Sequence, residues 1–96
     1  MTNQTKITYK EPHGKLLTLT LTTDPATQQI TQIRITGDFF AYPEEAIDHL
    51  ENGLIGTPIT PQALHQKITT LITDHHIQLI GLTPEGLTQA ILRCHP

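Results

Sequence analysis

The sequence predicts an α+β fold, in which a three-stranded antiparallel sheet is followed by about three helices packed on one of its faces. Two features carry this prediction. Through residue 36, apolar and polar residues alternate with the period of a strand. After Pro43 the apolar residues recur at helical spacing, and the pairs Thr60-Pro61 and Thr83-Pro84 have the form of helix N-termini.

Three strands are expected in the first half of the chain. The first is residues 7–10, and residues 11–15 follow as a turn because they contain a proline and a glycine. Leucine alternates with threonine at 17–22, and isoleucine alternates with polar residues at 33–36. Short connections join the strands into a meander with one apolar face and one polar, threonine-rich face.

Helices are expected in the second half. The first begins at Pro43, whose missing N–H costs nothing in a first helical turn. Glu44 and Glu45 follow it at the positive end of the helix dipole. The helix ends near Asn52-Gly53. The two Thr-Pro pairs begin the other two helices, and a short extended link at residues 77–81 separates them.

Composition limits the function. At 96 residues the chain is expected to be one domain, residues 1–96, and its net charge of −3 argues against nucleic-acid binding. The scattered Lys and Arg residues form no basic run for a membrane surface, and no apolar run approaches the roughly 20 residues of a bilayer span. The N-terminus has no apolar signal sequence, so a cytoplasmic protein is expected.

Catalytic and metal-binding groups are not predicted. The chain has no serine, and its single cysteine, Cys94, lies near a chain end that is expected to fray. The histidines show no metal-ligand spacing and are interpreted as structural residues. They are His13, His49, His65, His75, His76 and His95.

The segment from Gly37 to Tyr42 holds three of the four aromatic residues. Neighbouring side chains of extended backbone point to opposite sides. One of Phe39 and Phe40 is therefore expected to anchor the helices on the sheet, while the other and Tyr42 form a binding patch near the surface. The alternative is that the turn directs both rings inward. Asp38 is interpreted either as a turn cap or as a partner contact, with the cap favoured.

The residues 35–40 and 42–47, Ile-Thr-Gly-Asp-Phe-Phe and Tyr-Pro-Glu-Glu-Ala-Ile, resemble the C-terminal accessory domain of lipoate–protein ligases. Residues 10–16 are similar to that family's Pro-Gly-Gly-Lys turn, with His13 in place of the first glycine. Residues 80–85 resemble the approach to the family's last helix. The resemblance covers nearly the full chain, in the same order.

This resemblance implies the separate small subunit of a bipartite ligase, since the chain is short and begins at Met1. The catalytic subunit would bind ATP, Mg and lipoate, form lipoyl-AMP and modify a lysine of a lipoyl acceptor domain. The small subunit would form a heterodimer with it and be required for lipoate activation, without binding a cofactor itself. Separately from the resemblance, Lys15 is predicted to lie in an exposed turn, from which it would reach a nucleotide phosphate across the interface. The family fold is likened to that of iron–sulfur scaffold and sulfur-acceptor proteins, whose cysteines this chain lacks.

Gly37, Asp38, Phe39, Phe40 and Tyr42 are accordingly predicted to bind the partner. Two other functions stay open. One is an interaction module in sulfur or iron–sulfur trafficking without its own cluster. The other is a self-contained enzyme that uses a histidine or Asp38.

Overall fold

The sheet is built around a central strand that pairs with both of its sequence neighbours. In the computed structural model, which describes residues 3–10 and 16–94, these are β1 (Asn3–Lys10), β2 (Leu16–Asp24) and β3 (Gln29–Gly37). All pairings are antiparallel and the order is β1-β2-β3, so the predicted meander is confirmed. The predicted turn at 11–15 lies outside the described residues.

The two faces of this sheet differ as the alternation predicts. Leu17, Leu19 and Leu21 of β2 are at most 1% exposed, because they face the helices. The alternate residues face away from the helices on what we call the open face. Its central rows include Lys6, Thr8, Thr18, Thr20, Arg34 and Thr36. The polar, threonine-rich face is therefore confirmed.

Three helices follow the sheet, namely α1 (Ala46–Gly53), α2 (Pro61–Asp74) and α3 (Pro84–Cys94). The predicted start of α1 at Pro43 is wrong, since Pro43 lies in a turn in which the N–H of Ala46 donates to its carbonyl oxygen at 2.9 Å. The peptide bond between Tyr42 and Pro43 is cis. The predicted starts of α2 and α3 are confirmed.

The threonines before α2 and α3 act as the predicted caps. The hydroxyl of Thr60 accepts a hydrogen bond from the N–H of Ala63 at 3.2 Å. The hydroxyl of Thr83 accepts one from the N–H of Gly86 at 3.0 Å. Each cap satisfies one of the N–H groups that a helix start leaves without an internal partner.

The helices cover one face of the sheet, as predicted. Helix α1 packs on β3, α3 packs on β1 and β2, and α2 contacts both α1 and α3. The leucines of β2 and the isoleucines of β3 meet the apolar faces of the helices in one core. None of the described helices is long and apolar enough to cross a membrane.

Two further strands lie outside the three-stranded sheet. These are β4 (Phe40–Tyr42) and β5 (Gln78–Ile80), which pair with each other antiparallel. The extended link predicted at residues 77–81 is present, but its pairing with the aromatic segment was not predicted. This small ladder sets the direction of the aromatic side chains.

Cys94 does not lie in a frayed end. It is the last residue of α3, is 3% exposed, and its Sγ lies 3.4 Å from the carbonyl oxygen of Thr5. The hydroxyl of Thr5 also donates to the carbonyl oxygen of Cys94 at 2.7 Å. The expectation of fraying is wrong because contacts with β1 hold the end of α3 against the sheet.

Candidate functional site

The small ladder presents three exposed apolar side chains, which we call the β4–β5 patch. Phe40 is 62% exposed, Tyr42 53% and Ile80 48%. In the register of the ladder Phe40 lies opposite Ile80, so their side chains share one face. Ala41 and Leu79 form the next pair, face the other way and pack against the core. The core thus fixes the ladder and leaves the patch facing solvent.

Gly37 and Phe39 build the corner that leads into the patch. Phe39 is partly buried and packs against the core, so it is the anchor of the aromatic pair. Its ring lies close to Gly37: a Cβ atom built there would be 3.1 Å from Cε1 of Phe39 and would collide with the carbonyl oxygen of Leu16. Glycine is required here because β2 and the aromatic ring approach the backbone too closely for any side chain.

Asp38 joins the corner to β2 through its backbone. Its N–H donates to the carbonyl oxygen of Leu16 at 3.0 Å. The carboxylate forms no hydrogen bond with any residue in 3–10 or 16–94, so the favoured interpretation of Asp38 as a side-chain turn cap is wrong. The side chain is exposed two residues before Phe40, where it is available to a partner.

Lys15, the predicted nucleotide contact, lies outside the described residues. The residue after it, Leu16, pairs with Lys10 and accepts the hydrogen bond from Asp38. The chain therefore enters β2 at the same end of the sheet at which β3 leads into the aromatic corner. The structure brings together Phe40 and Tyr42 on one face and places Phe39 on the opposite one.

Ile80 is the patch residue that the sequence prediction missed. The short segment Gln78-Leu79-Ile80 is predicted to be extended, but its sequence does not show which segment pairs with it. No local signal in Phe40–Tyr42 or in Gln78–Ile80 identifies the other segment as its partner.

Three of the four described histidines, namely His49, His65 and His75, contact another aromatic or charged side chain. The rings of His49 and His75 stack with centroids 4.0 Å apart and an interplanar angle of 7°, which joins α1 to the end of α2. His65 lies 3.3 Å from a carboxylate oxygen of Glu85. The backbone hydrogen bond of Glu85, followed by this contact with His65, lowers the pKa of the Glu85 carboxyl. Within residues 3–10 and 16–94, no group of three or more His, Cys, Asp or Glu residues could hold a metal ion.

Two surface grooves of about 410 and 380 Å³ meet at Ile55, and no patch residue lines them. The first runs along α2, and the second lies between β3 and α1. The patch itself is made by side chains of two neighbouring strands. Its chemistry is suited to contact with the surface of another macromolecule, because aromatic rings contribute large apolar area at interfaces.

Fold and patch together define a small α+β domain with an exposed aromatic and aliphatic surface. Residues 17–91 match the family described as bacterial lipoate protein ligase C-terminus, and the chain belongs to this family. The resemblance stated from the sequence is thereby confirmed.

Two known proteins extend this finding. The chain is 36% identical over 74 residues to lipoate-protein ligase A subunit 2 of Thermoplasma acidophilum, a match that covers 74% of this chain and 72% of the relative. A solved structure from a study of an archaeal lipoylation system, a bi-partite lipoate protein ligase and its E2 lipoyl domain from the same organism, is also similar. It has a TM-score of 0.73 and 28% identity, and the match covers 95% of this chain and 94% of that one.

Proposed function

We propose that this chain is the non-catalytic accessory subunit of a bipartite lipoate–protein ligase, and that it binds the catalytic subunit through the β4–β5 patch. The observation that carries the docking site is the set of three large apolar side chains, 62%, 53% and 48% exposed, held on one face by a ladder whose other face is packed in the core. A small domain gains nothing in its own stability from leaving these groups in water.

Similarity supports the assignment to a two-subunit ligase. The curated relative carries the designation of a second subunit, and the similar solved structure comes from a bi-partite ligase. Both matches cover most of each chain, so the likeness concerns the whole domain rather than one motif. The partner would then be the catalytic subunit, in a heterodimer.

The proposed role is to enable ATP-dependent activation of lipoate to lipoyl-AMP. ATP, Mg and lipoate would be held by the catalytic subunit. An acyl adenylate is readily hydrolysed, so an active site that forms one must exclude water. A docked domain can supply this closure by ordering mobile loops of its partner. The rigid corner at Gly37 and Phe39 suits this role because it presents the patch in one fixed direction.

The test is a measurement of lipoate- and ATP-dependent pyrophosphate release by the cognate catalytic subunit, with and without this chain. We expect release to depend on the chain and to reach its maximum at a one-to-one ratio. A catalytic subunit that forms lipoyl-AMP equally well alone would contradict the activation role. A complex that forms without any change in pyrophosphate release would leave only the docking role.

Lys15 is proposed to contact a nucleotide phosphate across this interface. The support is its position directly before Leu16, at the end of the sheet that carries the aromatic corner. Lys15→Ala should raise the KM for ATP without weakening subunit association. Unchanged adenylation by this variant would end the proposal.

A further inference from the structure

We propose that the outer edge of β1 is a strand-addition site, at which an extended segment of the catalytic subunit joins the three-stranded sheet as a fourth strand. This inference rests on the proposed function, because it needs the catalytic subunit as the partner. It deepens that function by giving the subunit interface a second contact, made through main-chain hydrogen bonds rather than apolar side chains.

The two edges of the three-stranded sheet differ in how their backbone groups are covered. On the β3 edge, the N–H of Ile35 donates to the Glu51 carboxylate at 2.7 Å. The N–H of Ile30 donates to the carbonyl oxygen of Thr57 at 3.0 Å. Within residues 3–10 and 16–94, the β1 backbone makes no backbone hydrogen bond outside its ladder with β2. An edge strand without cover is a template for pairing with another chain.

The register shows which backbone groups of β1 point away from the sheet. Because the N–H of Ile35 leaves the ladder toward Glu51, its partner Leu19 is not hydrogen-bonded on that side. Leu19 therefore directs its N–H and C=O groups to β1, where it lies opposite Ile7. Successive residues alternate in direction, so the even-numbered residues of β1 present these groups outward, and all of them are exposed. They are Gln4, Lys6, Thr8 and Lys10.

The β4–β5 patch alone is too small for a stable subunit contact. Its three side chains are 62%, 53% and 48% exposed. Side chains of this size offer roughly 300 Å² in that state, whereas a standard interface buries about 800 Å² on each partner. The catalytic subunit must therefore cover a further part of this chain.

The β1 edge and the patch meet at one end of the sheet. Lys10, the last residue of β1, pairs with Leu16, and the carbonyl oxygen of Leu16 accepts the hydrogen bond from Asp38 in the aromatic corner. Leu16 is 42% exposed, so it adds apolar surface between the two contacts. One partner that covers the corner can therefore continue along β1, whose eight residues extend about 26 Å.

A second copy of this chain is a poorer occupant of the edge than the catalytic subunit. Pairing of two β1 strands would bring Lys6 and Lys10 of both copies onto the same face of one joined sheet. Like charges on facing strands oppose pairing, and lysines on an edge strand protect against self-association. A partner strand of different sequence avoids this repulsion.

The first test is amide hydrogen exchange of this chain, isotopically labelled, in its complex with the unlabelled catalytic subunit. The amides of Lys6 and Thr8 point away from β2, so the fold of this chain alone gives them no hydrogen bond. The reference is the amide of Thr27, in the exposed turn between β2 and β3. We expect an added strand to slow exchange at Lys6 and Thr8 about a hundredfold relative to Thr27. Exchange as fast as that of Thr27 overturns the inference.

A matched pair of variants at Thr8 separates the backbone from the side chain. Thr8→Pro removes one outward N–H and leaves the ladder with β2 in place, because proline is tolerated where the N–H of an edge strand faces solvent. It should weaken association with the catalytic subunit roughly fivefold to tenfold, whereas Thr8→Val keeps the N–H and should bind normally. Equal affinities of the two variants would contradict strand addition. Circular dichroism checks the fold of both, and if Thr8→Pro does not fold, exchange in the unmodified complex decides.

The possible failures are distinguishable. If adenylation depends on the chain but Lys6 and Thr8 exchange rapidly in the complex, the inference is overturned and the proposed function stands. If these amides are already protected without the catalytic subunit, a second copy occupies the edge, which also overturns the inference. If they are protected in the complex but pyrophosphate release never depends on the chain, the inference stands and the activation role fails. If no complex forms, both fail.

Discussion

A single hydrogen atom in place of a side chain determines the shape of the corner at Gly37. A Cβ atom there would collide with the backbone carbonyl of Leu16, whereas one at Gly53 would meet only the side chain of Leu71. Backbone atoms in a paired strand cannot move aside as a side chain can. Gly37→Ala should therefore lower the free energy of unfolding by about 1–3 kcal/mol. Gly53→Ala should cost less, because alanine also favours the helix.

Urea denaturation of both variants measures this difference. Equal losses of stability at the two positions would contradict the close approach at Gly37. If the NMR signals of Phe39 shift in Gly37→Ala but not in Gly53→Ala, the strain lies at the corner.

Substitutions of the exposed aromatic residues should weaken binding to the catalytic subunit without lowering the stability of this chain. Phe40→Ala and Tyr42→Ala, tested singly, should each weaken association with the catalytic subunit about tenfold or more, because aromatic anchors dominate protein interfaces. The melting temperature should barely change, since exposed substitutions usually alter stability by about 0.5 kcal/mol or less. Isothermal titration calorimetry and thermal denaturation give the two readouts.

Two matched variants sharpen this test. Ile55→Ala removes an apolar side chain that is 51% exposed but lies outside the patch, so it should change neither readout. Phe39→Ala removes the anchor and should lower the melting temperature. A loss of stability in Phe40→Ala with unchanged affinity would show that its ring belongs to the fold rather than to the interface.

At the scale of elements, the free edge of β3 is protected by the helix that packs beside it. A carboxylate oxygen of Glu51 in α1 accepts a hydrogen bond from the N–H of Ile35 at 2.7 Å. The other end of the strand is covered by a loop, since the N–H of Ile30 donates to the carbonyl oxygen of Thr57 at 3.0 Å. Both contacts occupy groups that would otherwise be available for pairing with another strand.

Glu51→Ala should therefore destabilise the protein by about 1.5–3 kcal/mol, the range for a hydrogen bond to a charged group. Glu51→Gln should lose less, because the amide oxygen can still accept from Ile35. Asn52→Ala, at an exposed position of the same helix, controls for helix propensity. Midpoints of urea denaturation should rank the alanine variant lowest, and a Glu51→Gln variant as unstable as Glu51→Ala would contradict the bond.

The elements that could be predicted from the sequence are those whose signals are local. Alternation over 17–22 and 33–36 indicates strands because it records a buried face, and a threonine before a proline indicates a helix start because the cap bonds three residues ahead. The pairing of β4 with β5 joins residues about 40 positions apart, and nothing in either short segment identifies the other. The late start of α1 follows from this ladder, which keeps the chain extended through Tyr42.

The candidate site, too, could be predicted from the sequence only where the signal is local. The alternation rule correctly predicted that Phe39 and Phe40 diverge, but which ring faces the core depends on the tertiary position of the ladder. Asp38 was misinterpreted because the close contact with β2 is made by its backbone N–H, so no local cap is needed. Partner binding by Gly37, Asp38, Phe39, Phe40 and Tyr42 stays a prediction.

At the scale of the whole molecule, the first strand and the last helix hold each other in place. Thr5 and Cys94 are 89 positions apart, yet the threonine hydroxyl lies 2.7 Å from the cysteine carbonyl oxygen and 3.3 Å from its Sγ. The Sγ atom also faces the carbonyl oxygen of Leu19 in β2 at 3.9 Å. The thiol can therefore reach solvent only when α3 separates from the sheet.

The lone thiol consequently reports on that separation. Native protein should react with a thiol reagent far more slowly than urea-unfolded protein, because Cys94 is 3% exposed. Thr5→Val removes the hydroxyl donor at nearly constant volume and should destabilise the contact by about 1 kcal/mol, which raises the open population and the labelling rate roughly fivefold. Thr8→Val, on the open face of the same strand, should leave the rate unchanged. Labelling of the native protein at the unfolded rate would instead mean that the end of α3 is detached, and with it the contact that closes the two-layer fold.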